Sequence, residues 1–381
     1  MINSMTSTDG GEKPQSYDVV IVGGGSAGIA AAVGARQADA SARILLVFEP
    51  ESLKLVLDDM MYEHQIDVLL HSTVVGAERL GSVISSIEIQ ERIGRRRILA
   101  NAFVDCSGDG DLAFWASAST RYGNHGIVNL GSLATRFGGF SAEAKPTAVL
   151  WGQAITQAKK KSPELQDLCK KNSSVLLKMP SGDIMTFLAS ASYDARYSAS
   201  ITSAEASGRK QAQKYLEILK KLPGHENMYL VSSGPNFGTR ESRHINATYQ
   251  LKEDDIMKNT SFDDTIAIGA WGMEFHQESH EFWESTFIYP PARSFEIPLR
   301  CLQSIDTDNL YVGGRCVDGD QYAASAVRVM GTGLATGQAA GTAASMYSRS
   351  RSRAQAGKVQ ACLIANGAFI DSRSLPVAVF V

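Results

Sequence analysis

The rhythm of apolar and polar positions changes several times along the chain. Residues 17–22 (YDVVIV) are a short β-rich run ending in glycines, residues 26–38 are small and helical, and residues 43–48 (RILLVF) are a second apolar run. Strand, glycine turn, helix and strand in that order predict a βαβ unit. Pro50 suits the first position of a helix, and Leu53, Leu57, Met60 and Met61 then share one face, which predicts a helix over 50–64. The apolar run 66–70 reads as the next strand. From 73 to 107 the segments TVVGAERL, VISSIEIQ and RRILANAFVDCS, parted by GS and IGRR, predict an antiparallel meander inserted into the α/β unit. Its last strand runs into a second glycine turn, SGDGD.

Residues from about 120 to 295 are less regular. They hold ATRFGGF, an amphipathic helix around 203–222, and a strand MYLVSS before GPNFGTRESRHI. SFEIPLRCL and NLYVGGRC return to strand character, and a long helix of small residues is predicted over 326–346. No fixed-period repeat is present.

Composition narrows the classes. The 381 residues are 44% hydrophobic and 20% charged, with a net charge of -3, an ordinary globular balance that suits two domains. Nothing in it resembles a nucleic-acid footprint. The basic runs GRRR (94–97) and KKK (159–161) read as a solvated hairpin and a solvated helix face. No apolar run approaches the roughly 18 residues of a membrane span. Residues 1–16 are polar and read as a disordered tail without a signal-peptide core. Five cysteines (106, 169, 301, 316, 362), odd in number and without a CxxC, predict reduced thiols, no zinc site and a cytoplasmic location.

The first chemical motif is Gly23-x-Gly25-x-x-Gly28, with Ser26 and Ala27 between the last two glycines. The first glycine permits the tight turn, the second lets backbone approach a pyrophosphate, and the third allows close helix–strand packing. The helix N-terminus then offers N–H groups and partial positive charge to phosphates. Its setting between an apolar strand and an Ala-rich helix predicts a bound dinucleotide.

DVVIVGGGSAGIAAAVGARQ, PESLKLVLDDM, VDCSGDGDLA, TSAEASGRKQA, GTRESRHI, SFEIPLRCL and NLYVGGRC…ASAVRVMGTGLATGQAAGTAA occur in this order along the chain. In that order they resemble the FAD-dependent oxidoreductase family, with a flavin domain like that of glutathione reductase. The resemblance implies FAD with its pyrophosphate over Gly23–Gly28 and the turn holding Gly108 and Asp109 close to the crevice. It places Gly314 and Arg315 beside the ribityl and phosphates. It also aims the N-terminus of the helix near Arg328, Met330 and Gly331 at the flavin C2 carbonyl, where positive potential would stabilise the reduced ring.

One segment is missing relative to that family. Members carry an acidic residue after a motif like LLV, then a glycine-rich stretch of several tens of residues, then a motif like F-D-P-E-x-L-K. Here Phe48-Glu49-Pro50-Glu51 follows Val47 directly, an apparent internal deletion after the second strand. Glu49 is either the start of the helix or the ribose acid, since it stands 49 − 28 = 21 residues after Gly28. Without the segment, one side of the cofactor is expected to be open to water.

Other candidates lie further on. Arg240 and Arg243, at i and i+3, would either clamp a carboxylate or phosphate together or pair with Glu241 or a neighbouring acid. His276 matches a histidine of the family pattern, which implies proton transfer; the alternative is a structural loop histidine. His280 reads as structural, and no metal spacing links it to His244 or His276. Cys316 reads as buried packing, and Asp105, Asp109 and Asp111 as parts of the turn and not a calcium loop. Asp318 and Asp320, where the family has small or neutral residues, would oppose a reduced flavin anion.

The expected fold class is α/β, with a Rossmann-like FAD-binding domain (17–120 and 296–381) carrying the inserted meander. A second mixed substrate domain would fill 121–295. The expected function is FAD-dependent redox chemistry on a small, anionic organic molecule by hydride transfer at flavin N5, with no nucleic-acid, membrane or metal partner. The alternatives are a shortened homologue that binds FAD weakly and acts as an interaction protein, and an NAD-handling enzyme.

Overall fold

The computed structural model describes residues 15–22, 50–278 and 283–371. Its central sheet is built on one long strand. β1 (Gln15–Val22), β2 (Thr73–Leu80), β3 (Val83–Glu91), β4 (Gly94–Asp105) and the distant β15 (Leu310–Val312) make this sheet. The first half of β4 pairs antiparallel with β3, and β3 with β2, which is the predicted meander. The second half of β4 runs parallel to β1 on one side and to β15 on the other. Asn309 bridges the handover: its amide receives the Ile84 N–H at 2.9 Å and donates to the carbonyls of Ile84 and Asn101 at 2.8 and 3.1 Å. The alternation of β3 (Ile84, Ile87 and Ile89 inward) supplies one wall of the core.

The helix α1 (Pro50–Glu63) forms as predicted, and Leu53, Leu57, Met60 and Met61 are its shielded face, though none is fully buried. Residues 66–70 are not a strand: they pair with no neighbour, and Leu70 is 72% exposed. An apolar run without alternation carries no signal for which face to bury, and no strand among the described residues pairs with it.

A short helix α2 (Asp111–Trp115) follows β4. Next come β5 (Thr120–Tyr122) and β6 (Gly131–Gly138), then helices α3 (Ala148–Lys160) and α4 (Pro163–Leu168). They lead to β7 (Leu176–Lys178), β8 (Ile184–Ala191), the long α5 (Ser198–Leu219) and β9 (Tyr229–Ser233). Strands β7, β8, β6 and β9 form a second, antiparallel sheet in that order. α5 covers it with a stripe at helical spacing (Ala204, Gly208, Gln211, Ala212, Tyr215, Leu219), enclosing Phe137, Trp151 and Leu188. One lysine of the KKK run departs from expectation: Lys159 is buried, and its ammonium donates to Asn172 Oδ1 at 2.7 Å and the Lys170 carbonyl at 3.1 Å.

β10 (Arg243–Ile245) pairs back to β5. α6 (Glu253–Met257) and the pairs β11 (Thr265–Gly269) with β14 (Phe295–Pro298) and β12 (Met273–Glu278) with β13 (Trp283–Ile288) follow. Ile245, Leu251, Ile256 and Ile266 join the core around β4. The small-residue stretch near the C-terminus is two helices and not one: α7 (Gln321–Val327) and α8 (Met330–Ser350), before α9 (Ala356–Ala365). Val329 between them is extended (φ −74°, ψ 155°), and the Arg328 side chain takes the Ser325 carbonyl at 3.2 Å. α8 lies across β1, β4 and β15 with Ala339, Ala340, Ala343 and Ala344 fully buried. The close packing is tight enough that a Cβ on Gly313 would stand 3.0 Å from Gly337 Cα.

Candidate active site

Val22, Asp105 and Val312 stand level at the carboxyl ends of the parallel strands. The crevice beyond such an edge is where open α/β sheets take ligands. After β1 the chain enters Gly23, Gly25, Ser26, Ala27 and Gly28; these residues, like Glu49 and His280, lie outside the described ones. After β4, the buried Asp105 carboxylate organises the turn by accepting from Ser107 N–H (3.0 Å), Ser107 Oγ (2.7 Å) and Ala113 N–H (3.0 Å). Burial raises its pKa against the pull of these donors. Gly108 has φ +81°, and a Cβ there would meet Arg315 Nη2 at 2.4 Å.

After β15, Gly314 (φ +72°) donates its N–H to Thr336 Oγ1 at 3.1 Å. Arg315 turns back over Gly108, donates to Thr239 Oγ1 at 2.8 Å, and stands 3.6 Å from Asp109 Oδ1. The fold therefore brings Gly108, Asp109, Gly314 and Arg315 together from turns about two hundred residues apart in sequence. Cys316 is fully buried next to them, with its thiol pushed up by burial, in a packing role.

The two candidate arginines do not converge. Arg243 donates to the Asp109 carbonyl (3.1 Å) and Asp111 Oδ1 (3.2 Å) and lies 4.4 Å from the Phe114 ring centre. Arg240 instead donates to the Leu130 carbonyl at 2.6 Å. Residues 239–242 are not helical and β10 begins at Arg243, so the i, i+3 spacing does not put both on one face. Of the two readings, a joint clamp is set aside and Arg243 is an internal ion pair. Glu241 is paired elsewhere: it accepts from Asn129 N and Nδ2, both at 2.9 Å, and lies 3.0 Å from His244 Nε2.

Arg240 faces a second group of charges. His276 on β12 is buried, its Nε2 3.2 Å from Glu274 Oε1, and among the described residues neither ring nitrogen has a well-formed hydrogen bond. Arg328 donates through Nη2 to the Glu274 carbonyl at 2.8 Å, while its Nη1 is buried without a partner. Lys171, not singled out by the sequence, is buried within electrostatic reach of Arg240, Glu274 and Arg328; among the described residues its ammonium reaches only the Phe187 carbonyl, at 3.4 Å. Burial, with Arg240 and Lys171 nearby, pushes His276 down to about 4, despite Glu274. Burial alone would raise Glu274, but His276, Arg328 and Arg240 outweigh it and hold the carboxyl below its usual range. Arg328 itself is lowered by burial and by Arg240.

Just beyond Arg328, α8 begins at half-exposed Met330 without a side-chain cap. Gly331 is open: a Cβ there has nothing within 4 Å. A cleft of about 350 Å³ lies between Ile127, Val128, Leu130, Tyr193, Phe275 and Gln321. It shares Leu130 and Tyr193 with the surroundings of Arg240, whose N–H donates to Tyr193 OH at 3.0 Å. A larger hollow of about 470 Å³ lies beside Arg79 and Trp115 and is lined by none of these charges.

Asp318 and Asp320 serve the fold. Asp318 pairs with Arg121 at 2.6 Å and accepts from Ala247 N–H at 2.8 Å; Asp320 caps α7 through Tyr322 and Ala323 N–H and receives Glu253 N–H. The Arg121 charge offsets that of Asp318, while Asp320 meets backbone N–H groups. Among the described residues no His, Cys, Asp and Glu cluster could hold a metal, and no helix is long and apolar enough to cross a membrane.

A family model described as FAD dependent oxidoreductase matches residues 36–362. No curated protein matches. Among solved structures, similarity is found to CabE, an aromatic hydroxylase from angucycline biosynthesis (12% identity, 92% of this chain and 65% of that one, TM-score 0.45). A geranylgeranyl bacteriochlorophyll reductase-like protein from Thermoplasma acidophilum is similar at 10% identity over 89% of this chain and 79% of that one (TM-score 0.42). So is the p-nitrophenol 4-monooxygenase PnpA from Pseudomonas putida DLL-E4, at 11% identity over 88% and 80% (TM-score 0.40).

Proposed function

The chain belongs to the FAD-dependent oxidoreductase family, and from that premise we propose that it oxidises or reduces a small organic anion by hydride transfer at flavin N5. The described residues fit the cofactor. Gly108 and Gly314 hold turns with positive φ beside Arg315, and the uncapped start of α8 at Met330 and Gly331 leaves a space that a side chain would fill. Gly23–Gly28 would hold the pyrophosphate, and Asp109, Gly314 and Arg315 the ribityl and phosphate side. FAD, when bound, supplies a ring that accepts or returns two electrons as hydride.

The chain's own groups do the rest. Arg240 and Arg328 would hold an anionic group, because two guanidinium groups stand near the single carboxylate of Glu274. His276, kept neutral by burial, can accept or return a proton at a free ring nitrogen. The single observation that carries this reading is the meeting of Gly108 and Arg315 beyond three parallel strand ends, with Thr336 and Gly337 in the first half of α8 packed on Gly314 and Gly313 beside them. Five unpaired thiols support a cytoplasmic location.

The test is anaerobic bleaching of the flavin absorbance by a panel of small organic acids and their neutral analogues. Bleaching by an acid, slowed in Arg240→Met, supports the reading; no response from a flavin-loaded chain to any of them, in either redox direction, counts against it.

One observation favours a second reading. Leu55, Tyr62 and Leu70 are 63%, 77% and 72% exposed on the segment that follows the apparent deletion. On that reading the chain holds FAD weakly and its open apolar surface serves an interaction.

A further inference from the structure

Three cations share one neighbourhood and are incompletely paired among the described residues: Lys171, which is buried, Arg328, whose side chain nearly is, and the half-buried Arg240. Arg328 Nη1 has no hydrogen-bond partner, and the side chain is only 8% exposed. Lys171 is 6% exposed and reaches one carbonyl at 3.4 Å, too long for a strong bond. Arg240 has one side-chain bond, to the Leu130 carbonyl. Against them stand Glu274 and, further off, Glu241, whose carboxylate is committed to Asn129 and His244. Among the described residues, three cations thus face two carboxylates.

Buried charges persist when they are paired. An excess of cations with free N–H groups is therefore a site awaiting an anion. The adjoining cleft adds the organic half: Ile127, Val128, Leu130 and Phe275 are apolar, with Tyr193 and Gln321 as polar handles. Inorganic phosphate would use the charge and leave that wall unused.

Resting on the proposed redox reading, we infer that Lys171 completes a carboxylate-binding subsite with Arg240 and Arg328, and that the substrate is a small organic carboxylate with an apolar body. Glu274 is the positioning residue: it holds Arg328 through its carbonyl and carboxylate and keeps the three cations from dispersing. Burial, and repulsion by Arg240, push Lys171 down to about 7, so a bound carboxylate would restore its full charge.

The experiment is thermal denaturation and calorimetric titration of the FAD-supplemented protein with benzoate, benzamide and inorganic phosphate at fixed ionic strength. Wild type is compared with Lys171→Met, Arg328→Met and the exposed control Lys210→Met. Benzoate is expected to raise the melting temperature and bind, and benzamide and phosphate to do neither. Lys171→Met and Arg328→Met should each weaken benzoate roughly 10- to 100-fold, as for loss of one charge-assisted contact. Lys210→Met should bind like wild type. A melting temperature of free Lys171→Met at or above wild type shows that its loss of binding is not unfolding. Equal binding of benzamide, preference for phosphate, or undiminished benzoate affinity in Lys171→Met overturns the inference. A chain that takes up no flavin yet binds benzoate selectively keeps this subsite and sinks the redox reading; a flavin-loaded chain indifferent to charge does the reverse.

Discussion

The guanidinium of Arg328 donates through Nη2 to the carbonyl of Glu274 at 2.8 Å, and the carboxylate of that same residue stands 3.6 Å away. This contact ties the break between α7 and α8 to strand β12. It fixes where α8 starts, and so where its uncapped N–H groups point, relative to His276.

Because of that tie, Arg240 and Arg243 are expected to behave differently when removed. Arg240→Met should weaken a bound organic anion roughly 10- to 100-fold. Arg243→Met should leave that affinity within about twofold, since the site loses no charged contact, and should lower stability by about 1 kcal/mol through Asp111 and Phe114. Titration of both variants, beside their denaturant curves, separates the roles.

Gly108→Ala should displace Arg315. The new Cβ meets the guanidinium, and φ +81° is itself costly for a residue with a side chain. A loss of about 1–3 kcal/mol in stability is expected, with weaker FAD binding. Urea unfolding and flavin titration check both effects.

His276 should contribute a window of acid sensitivity. Its pKa falls from 6.5 to about 4 on folding, chiefly through burial. Between those values the unfolded chain holds more protons on this ring than the folded one, so stability falls as pH drops through the window. The contribution is on the order of 2–3 kcal/mol across it. His276→Gln should flatten the dependence of unfolding free energy on pH between 6.5 and 4, whatever its absolute stability.

Asp318→Asn should cost about 3 kcal/mol, because it leaves the Arg121 guanidinium facing a weaker acceptor in a largely buried pair. FAD affinity should change little. A variant that folded normally but bound flavin more tightly would return Asp318 to the flavin's surroundings.

Much of the scaffold was legible in the sequence because it rests on local rules. Alternation marked β3 and β4, Pro50 marked the start of α1, and the glycines of SGDGD marked the turn under Arg315. The readings that failed involve partners distant in sequence. Residues 66–70 look like a strand but pair with no strand among the described residues. The helix break at Val329 depends on Arg328 reaching a carbonyl 54 residues away. Lys171 sits in a polar KKNSS stretch that reads as solvated loop, and only the packing of Tyr215, whose hydroxyl donates to the Lys171 carbonyl at 2.8 Å, turns it inward. No pattern in the sequence pairs Lys171 with Arg240 or Arg328.

The central claim is that the glycine turns and the α8 N-terminus hold a flavin. Purified protein should be supplemented with FAD, desalted, its visible spectrum recorded, and the nucleotide released by boiling identified by chromatography. The account predicts flavin absorbance and recovered FAD, reduced in Gly108→Ala. Recovery of a nicotinamide dinucleotide with no flavin, even after excess FAD, would contradict it.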